Sequence, residues 1–291
     1  MNLNSAILEI NKKNLLYNYS FFEKLNKKII VAVTIKANAY GLGDEKIIKF
    51  LYKKGCKNFF VATINEGIKL RNKFKFGNIY ILNGLEGNKL NLFKKNNLIP
   101  IINSKEELLI IIKKNIYFGI NVDTGINRLG IQYNLLNNNI LDNEKIKIVI
   151  SHLASAEQSK NTYNILQKKR FDGIIKDLKN NNILFSLANS SGSILSKDYL
   201  YSMIRPGIGI YGGHNFSNLK KYIKPVIKLK AKVLQIKELN KNEYVGYNQT
   251  FKCKKKIHIA IIGIGYADGI SRLLSNQGTV YYKNRKFNII G

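Results

Sequence analysis

The sequence predicts an α/β protein: a (β/α)8 TIM barrel with a second, β-rich C-terminal domain. Three observations carry this expectation. Eight short apolar runs alternate with helical stretches between residues 29 and 204, which is the signature of a parallel sheet, and eight repeats argue for a closed barrel over an open doubly wound sheet. From about Val226 the long helices give way to alternating, lysine-punctuated strands. Polar residues of chemical interest cluster just past the strand ends, the catalytic face of such a barrel.

The elements follow in order. Ile29 to Ile35, in I-I-V-A-V-T-I, is almost continuously apolar and largely β-branched, so it is expected as a strand buried on both faces. Asp44 to Lys54 has helical spacing through Ile47, Ile48 and Leu51, and Lys57 to Thr63 is the second strand. Further strands are expected at Ile79–Leu82, Leu98–Ile102, Ile116–Val122, Ile146–Ile150, Ile183–Leu187 and Met203–Ile204, with helices such as Ser104–Lys114 and Ser159–Asn180 between them. Beyond Val226 the strands are V-I-K-L-K-A-K-V-L-Q-I-K, H-I-A-I-I-G-I-G-Y and G-T-V-Y-Y-K-N. The sequence stops at Asn288-Ile289-Ile290-Gly291, directly after a strand-like run. An antiparallel domain left there would expose an unpaired edge, so this domain is expected to be incomplete.

Composition narrows the function classes. A chain of 291 residues with 45% hydrophobic content can bury one large core and a small one. The formal charge of +30, from 48 Lys+Arg against 18 Asp+Glu, invites a nucleic-acid reading. The lysines are dispersed among Asn and Ile, however, on segments such as Lys168-Lys169-Arg170 and Lys252 to Lys256, and they read as solvated faces of a chain biased toward AT-rich codons. No specific nucleic-acid partner is expected, only general adhesion to polyanions that salt would weaken. The two cysteines, Cys56 and Cys253, form no metal or disulfide spacing. No membrane span and no leader h-region are visible, so a soluble cytoplasmic protein is expected.

Lys36 is the most informative residue, the first charge past the first strand and followed by A-N-A-Y-G-L-G. A desolvated lysine amine there can form a Schiff base with an aldehyde such as pyridoxal 5'-phosphate, PLP; a solvated strand-end lysine is the competing reading. Asp123-Thr124-Gly125-Ile126-Asn127-Arg128 follows strand five, with Arg128 available for a phenolate or carboxylate. Ser151-His152 follows strand six, Ala188-Asn189-Ser190-Ser191-Gly192 follows strand seven and could open a helix, and Arg205-Pro206-Gly207-Ile208 follows strand eight. The loops after strands seven and eight are the usual phosphate site of this barrel. Taken singly, His152 reads first as a core histidine, Arg128 as a surface ion-pair former and Asn189-Ser190 as an ordinary cap. Their joint placement at five strand ends favours a site. The second domain adds two Gly-flanked tyrosines, Tyr247 in V-G-Y-N and Tyr266 in G-I-G-Y-A-D-G.

These motifs resemble the alanine racemase family. A-V-T-I-K-A-N-A-Y-G is similar to its PLP-lysine motif, V-D-T-G-I-N-R-L-G to its strand-five arginine loop and I-R-P-G-I-G-I-Y-G to its strand-eight loop. S-H-L-A-S-A, A-N-S, V-G-Y-N and I-G-Y-A-D-G align in the same order, and A-I-L-E-I-N-K-K-N resembles the opening strand of its β-domain. The resemblance implies a β-domain strand at 1–9, a PLP-binding barrel at 10–225 and the β-rich domain at 226–291. It implies that Lys36 holds PLP, that Tyr40, Ser190, Gly207 and Ile208 bind its phosphate, and that Arg205 faces the pyridine nitrogen. His152 would lie beside the ring and link Arg205 to Tyr247, Asn189 would join the cofactor-binding residues, and Arg128 would bond the PLP phenolic oxygen and the substrate carboxylate. Lys36 and Tyr247 would be the two bases, Tyr247 coming from the other subunit of a head-to-tail homodimer, and Tyr266 would line the substrate entrance.

Two departures modify the expectation. Asn121 stands where many members carry a carboxylated lysine, so a bound anion such as chloride, or a water network, is expected between it and Arg128. Family members also continue past the position of Gly291 with further substrate-site residues, so weak or no racemase activity is expected of the chain as written. A serine racemase of the same fold, a non-catalytic PLP carrier and a basic RNA-binding protein are the other readings. The carrier has no need of Tyr247.

Overall fold

The computed structural model describes residues 5–87, 89–136, 141–176, 182–214 and 218–291. It divides into two compact units, Asn11–Val226 and a second made of Met1–Ile10 with Ile227–Gly291. The chain enters through β1 (Ala6–Ile10), part of the second unit, and then α1 (Lys12–Lys24), capped by the Asn11 side chain. The first barrel strand is split at Ala32 into β2 (Ile30–Val31) and β3 (Val33–Thr34). It is followed by α2 (Lys36–Tyr40), α3 (Asp44–Lys53), β4 (Asn58–Val61), α4 (Ile64–Lys73), β5 (Asn78–Ile81), α5 (Leu90–Lys95), β6 (Ile99–Ile102) and α6 (Lys105–Ile111). Next come β7 (Phe118–Asp123), the short β8 (Ile131–Gln132), β9 (Ile146–Ile150), α7 (Thr162–Ile175), β10 (Leu184–Ser186) and β11 (Met203–Ile204). The helix expected over Ser159–Asn180 is thus observed as α7, and residues 177–181 lie outside the described residues.

The strands run in parallel in the order β3-β4-β5-β6-β7-β9-β10, and β11 pairs in parallel with β2. Arg205 N–H donates to Ala188 O at 2.9 Å between the extensions of β10 and β11, so the ring closes. Its interior is filled by Ala32, Phe60, Tyr80, Ile99, Ile101, Ile148, Ile150 and Met203. Phe60 and Tyr80 stack at 4.5 Å between ring centroids. Gly119 is required here: a Cβ on it would lie 2.6 Å from both Ile101 and Ile148. A second apolar layer, including Leu108, Phe118, Ile120, Val149 and Phe171, lies between sheet and helices. Strands buried on both faces explain why the sequence reads as apolar runs without alternation.

Two helices begin with the same device. Thr63 and Ser104 cap α4 and α6, and the glutamate three residues on, Glu66 or Glu107, accepts from the backbone beside the cap. The same carboxylates reach the preceding βα loop, Glu66 taking Ala37 N–H at 2.7 Å and Glu107 taking Leu85 N–H at 2.8 Å. Each such glutamate joins one barrel repeat to the next.

The second unit is antiparallel. β1 pairs with β12 (Ile227–Ala231), Ala6 opposite Ala231 and Ile10 opposite Ile227. β13 (Val233–Leu239) pairs with β16 (Ile257–Ile262) through a bulge between Val233 and Gln235, and β14 (Tyr244–Val245) pairs with β15 (Phe251–Lys252). β17 (Thr279–Tyr282) and β18 (Arg285–Asn288) form a hairpin whose two turn residues, Lys283 and Asn284, have φ of 46° and 65°, the hand that a two-residue loop between twisted strands requires. Both cysteines are free and buried. Among the described residues no helix is long and apolar enough to cross a membrane.

Candidate active site

Lys36 leaves β3 through Ile35 and begins α2, a single left-handed turn. Ala37, Asn38, Ala39 and Tyr40 have φ of 52°, 54°, 54° and 56°. Each non-glycine residue in that hand costs about 1–2 kcal/mol, so the turn stores roughly 4–8 kcal/mol that its surroundings must hold. The restraints are visible. Glu66 accepts from Ala37 N–H, Asn38 Oδ1 accepts from Asp44 N–H at 3.0 Å, and Lys69 Nζ grips both carboxylate oxygens of the buried Asp44 at 3.1 Å. Glu66 and Lys69 lie one turn apart on α4, which therefore holds the lysine segment at both ends. Tyr40 closes it, its ring 5.1 Å from that of Tyr211, whose hydroxyl donates to Thr34 O.

The turn carries the Tyr40 hydroxyl to the strand-eight loop. A Cβ on Gly207 would sit 2.4 Å from Tyr40 Oη, so this glycine leaves room that any other residue would fill. Ser190 Oγ accepts from Gly207 N–H at 3.0 Å and Gly209 N–H at 3.1 Å. Tyr40, Ser190 and the Gly207 amide thus converge, with half-buried Ile208 next in the chain. The run Ala188–Gly192 opens no α-helix. Only a three-residue 3-10 turn, Gly192–Ile194, follows, because Ser196 returns to extended backbone. Asn189 Oδ1 accepts from Gly192 N–H at 2.8 Å, and its Nδ2 lies 3.5 Å from His152 Nε2.

Arg205 is 7% exposed. Its guanidinium donates to Ser186 O, Ser186 Oγ and Ser151 O and lies 5.8 Å over the Phe60 ring. Burial draws its pKa down to about 9, which leaves it charged at neutral pH. His152 is pushed down to about 3, first by burial and then by Arg205, Arg128 and Lys36. Three cations from strand ends one, five and eight therefore act on a neutral imidazole from strand end six. Such a field suits an anionic ligand, and the small Gly207 and the hydroxyls of Tyr40 and Ser190 make a polar niche at the strand ends.

Arg128 is exposed at the end of a loop pinned by Asp123, whose Oδ1 accepts from Gly125 N–H at 2.8 Å and Asn127 N–H at 3.2 Å. Asn121 Nδ2 donates to Asn103 Oδ1 and to Leu129 O, both at 2.9 Å, so a neutral amide pair holds this loop. Tyr247 and Tyr266 belong to the β-rich unit, in 3-10 turns at Tyr247–Gln249 and Tyr266–Asp268, 78% and 64% exposed respectively.

Sequence reasoning missed several residues. Glu66 was legible as a cap in T-I-N-E, though its bond to Ala37 was not. Arg170, expected on a solvated lysine-rich face, instead donates to Thr124 O at 2.8 Å. That correction follows from helical spacing, which puts Arg170 on the same side of α7 as buried Gln167, opposite its lysine neighbours.

The depressed pKa of His152 sets an acid sensitivity. Below its ordinary value of 6.5 the unfolded chain takes up a proton that the folded chain refuses. Stability therefore falls with pH between 6.5 and about 3, by at most about 1.4 kcal/mol per pH unit for this group. Thermal unfolding between pH 7.5 and 4.5 is expected to show a shallower loss in His152→Gln than in the parent; parallel profiles would contradict it.

Two family models match the chain, described as alanine racemase, N-terminal domain, over residues 10–215 and alanine racemase, C-terminal domain, over residues 226–291. An alanine racemase of Rickettsia bellii is 40% identical over 279 residues, covering 91% of this chain and 67% of the relative. One from Rickettsia africae is 37% identical over 297 residues, covering 98% and 81%. The crystal structure of alanine racemase from Bartonella henselae with covalently bound pyridoxal phosphate superposes with a TM-score of 0.91 at 34% identity, over 99% of this chain and 83% of that one.

Proposed function

The chain belongs to the alanine racemase family, and from that premise we propose which of its residues interconvert L- and D-alanine. The activity is an isomerisation that uses pyridoxal 5'-phosphate. When bound, the cofactor supplies an electron sink that acidifies the α-hydrogen of alanine. The observation that carries the assignment is the convergence of the Tyr40 hydroxyl, the Ser190 hydroxyl and the Gly207 amide at the ends of strands one, seven and eight, next to the buried Arg205 guanidinium.

Lys36 holds the cofactor and takes or returns a proton on one face of the substrate carbon. Tyr247 of the partner subunit does so on the other, in a head-to-tail homodimer. Tyr40, Ser190, Gly207 and Ile208 hold the phosphate. Arg205 faces the ring nitrogen; its three acceptors fix it in place, and a guanidinium does not readily give up a proton there, which disfavours transamination. His152, supported by Asn189, bears a hydrogen bond without bringing a further positive charge. It relays the influence of Arg205 toward Tyr247, the acid-base group on the opposite face. Arg128 receives the substrate carboxylate, and Tyr266 lines the way in. The D-alanine is made in the cytoplasm for peptidoglycan.

The test is exchange of the α-hydrogen in deuterium oxide, offered L-alanine and D-alanine separately and followed by proton NMR over hours. Deuterium is expected in both enantiomers. Exchange on one enantiomer only would overturn the place given to Tyr247. No exchange on either, with the cofactor demonstrably on Lys36, would overturn the catalytic assignment as a whole.

A further inference from the structure

The loop that ends in Arg128 is gripped from beneath by one face of α7. Tyr163, Gln167 and Arg170 are spaced i, i+4 and i+7, so they share a side of the helix. Tyr163 Oη donates to Gly125 O at 2.8 Å, and Arg170 Nη1 donates to Thr124 O at 2.8 Å. Two consecutive carbonyls of the D-T-G turn are therefore held by two side chains of one helix. Between them Gln167, fully buried, donates through Nε2 to Thr124 Oγ1 at 3.3 Å and to His152 O at 3.0 Å, while its Oε1 accepts from Ala154 N–H at 2.8 Å. Thr124 Oγ1 lies 2.8 Å from Ser151 Oγ, and the Ser151 carbonyl takes the Arg205 guanidinium. The Arg170 guanidinium is further fixed 4.9 Å over the Tyr133 ring.

The turn is shaped to the grip. Gly125 has φ of +135°, and a Cβ on it would lie 2.3 Å from Tyr163 Oη and 2.9 Å from Arg170 Nη1. A polar face on a barrel helix, where apolar packing is the rule, is thus matched by a glycine that lets it approach. We infer that Tyr163, Gln167 and Arg170 are positioning residues that set the reach of Arg128 and tie it to His152, so that substrate affinity is tuned from the outer helix layer. The inference rests on Arg128 receiving the substrate carboxylate.

The variants are Tyr163→Phe, which removes one hydroxyl, Arg170→Gln, and Arg170→Lys as the conservative partner. Three quantities are read: amide hydrogen exchange over residues 124–128, acetate binding by calorimetry, and KM and kcat for alanine. Tyr163→Phe is expected to speed loop exchange and to raise both the acetate Kd and KM about fivefold, the value of one neutral hydrogen bond. Arg170→Gln is expected to raise them about tenfold or more, with partial recovery in Arg170→Lys, and kcat should stay within about twofold. Unchanged loop exchange in both variants overturns the clamp. Faster exchange with unchanged KM and Kd, or kcat falling together with the unfolding midpoint at constant KM, overturns the positioning role. Arg128→Gln separates the two readings: if it leaves acetate binding intact, the assignment of Arg128 fails, while loop exchange still decides whether α7 holds the turn.

Discussion

Lys36→Ala abolishes the visible absorbance of the lysine-bound cofactor and lowers α-hydrogen exchange on alanine by at least about a thousandfold, within the range that loss of a positioned acid-base group costs. The loss is chemical and leaves the fold in place. Glu66 grips the amide of Ala37, Asn38 and Lys69 hold Asp44, and Tyr40 packs on Tyr211, so none of the restraints on the left-handed turn passes through the lysine side chain. The unfolding midpoint of the variant is expected to stay within about 2 °C of the cofactor-free parent, as for other substitutions that break no buried contact. Borohydride reduction followed by peptide mapping checks the assignment directly, since it should fix the cofactor at residue 36 in the parent and at no residue in the variant. In a chain with 48 lysines and arginines, cofactor trapped on another lysine would sink it.

The barrel was legible because its strands are buried on both sides, which turns each into an apolar run, and because Lys36 is the first charge after one of them. The hand of the following turn was not legible. Alanine and tyrosine favour the right-handed region, and nothing in K-A-N-A-Y announces four consecutive residues at φ near +55°; the energy that holds them comes from Glu66 and Lys69, one helix away. Arg170 was hidden by its neighbours, since in Lys168-Lys169-Arg170 composition points outward while helical phase points one of the three inward. Asn189-Ser190-Ser191 has the chemistry of a helix start, but the Ser190 hydroxyl is taken up by the Gly207 and Gly209 amides instead. In each case the local signal was sound, and a contact distant in sequence decided the outcome.

Arg205→Met should lower the unfolding midpoint of the barrel by about 6–12 °C at pH 7.5. The guanidinium serves Ser186 O, Ser186 Oγ and Ser151 O in a site that is 7% exposed, and methionine fills the volume while serving none of them. Buried acceptors left without a donor cost about 1–3 kcal/mol each; a total near 3 kcal/mol, at about 2–4 °C per kcal/mol for a domain of this size, gives that range. Arg205→Lys should fall between, since one ammonium cannot reach three acceptors in a fork. The pH dependence then distinguishes a lost contact from a changed field. Arg205 is, after burial, the largest influence holding His152 down to about 3, so removing it lets that pKa rise toward its ordinary 6.5. A folded-state pKa nearer the unfolded value narrows the window in which acid destabilises the protein, and it narrows from the lower end. The gap in stability between parent and Arg205→Met must therefore shrink as the pH is lowered from 7.5 toward 3. A gap that stays constant or widens would show that Arg205 and His152 do not act on one another, and with that the field argument for the site would fall.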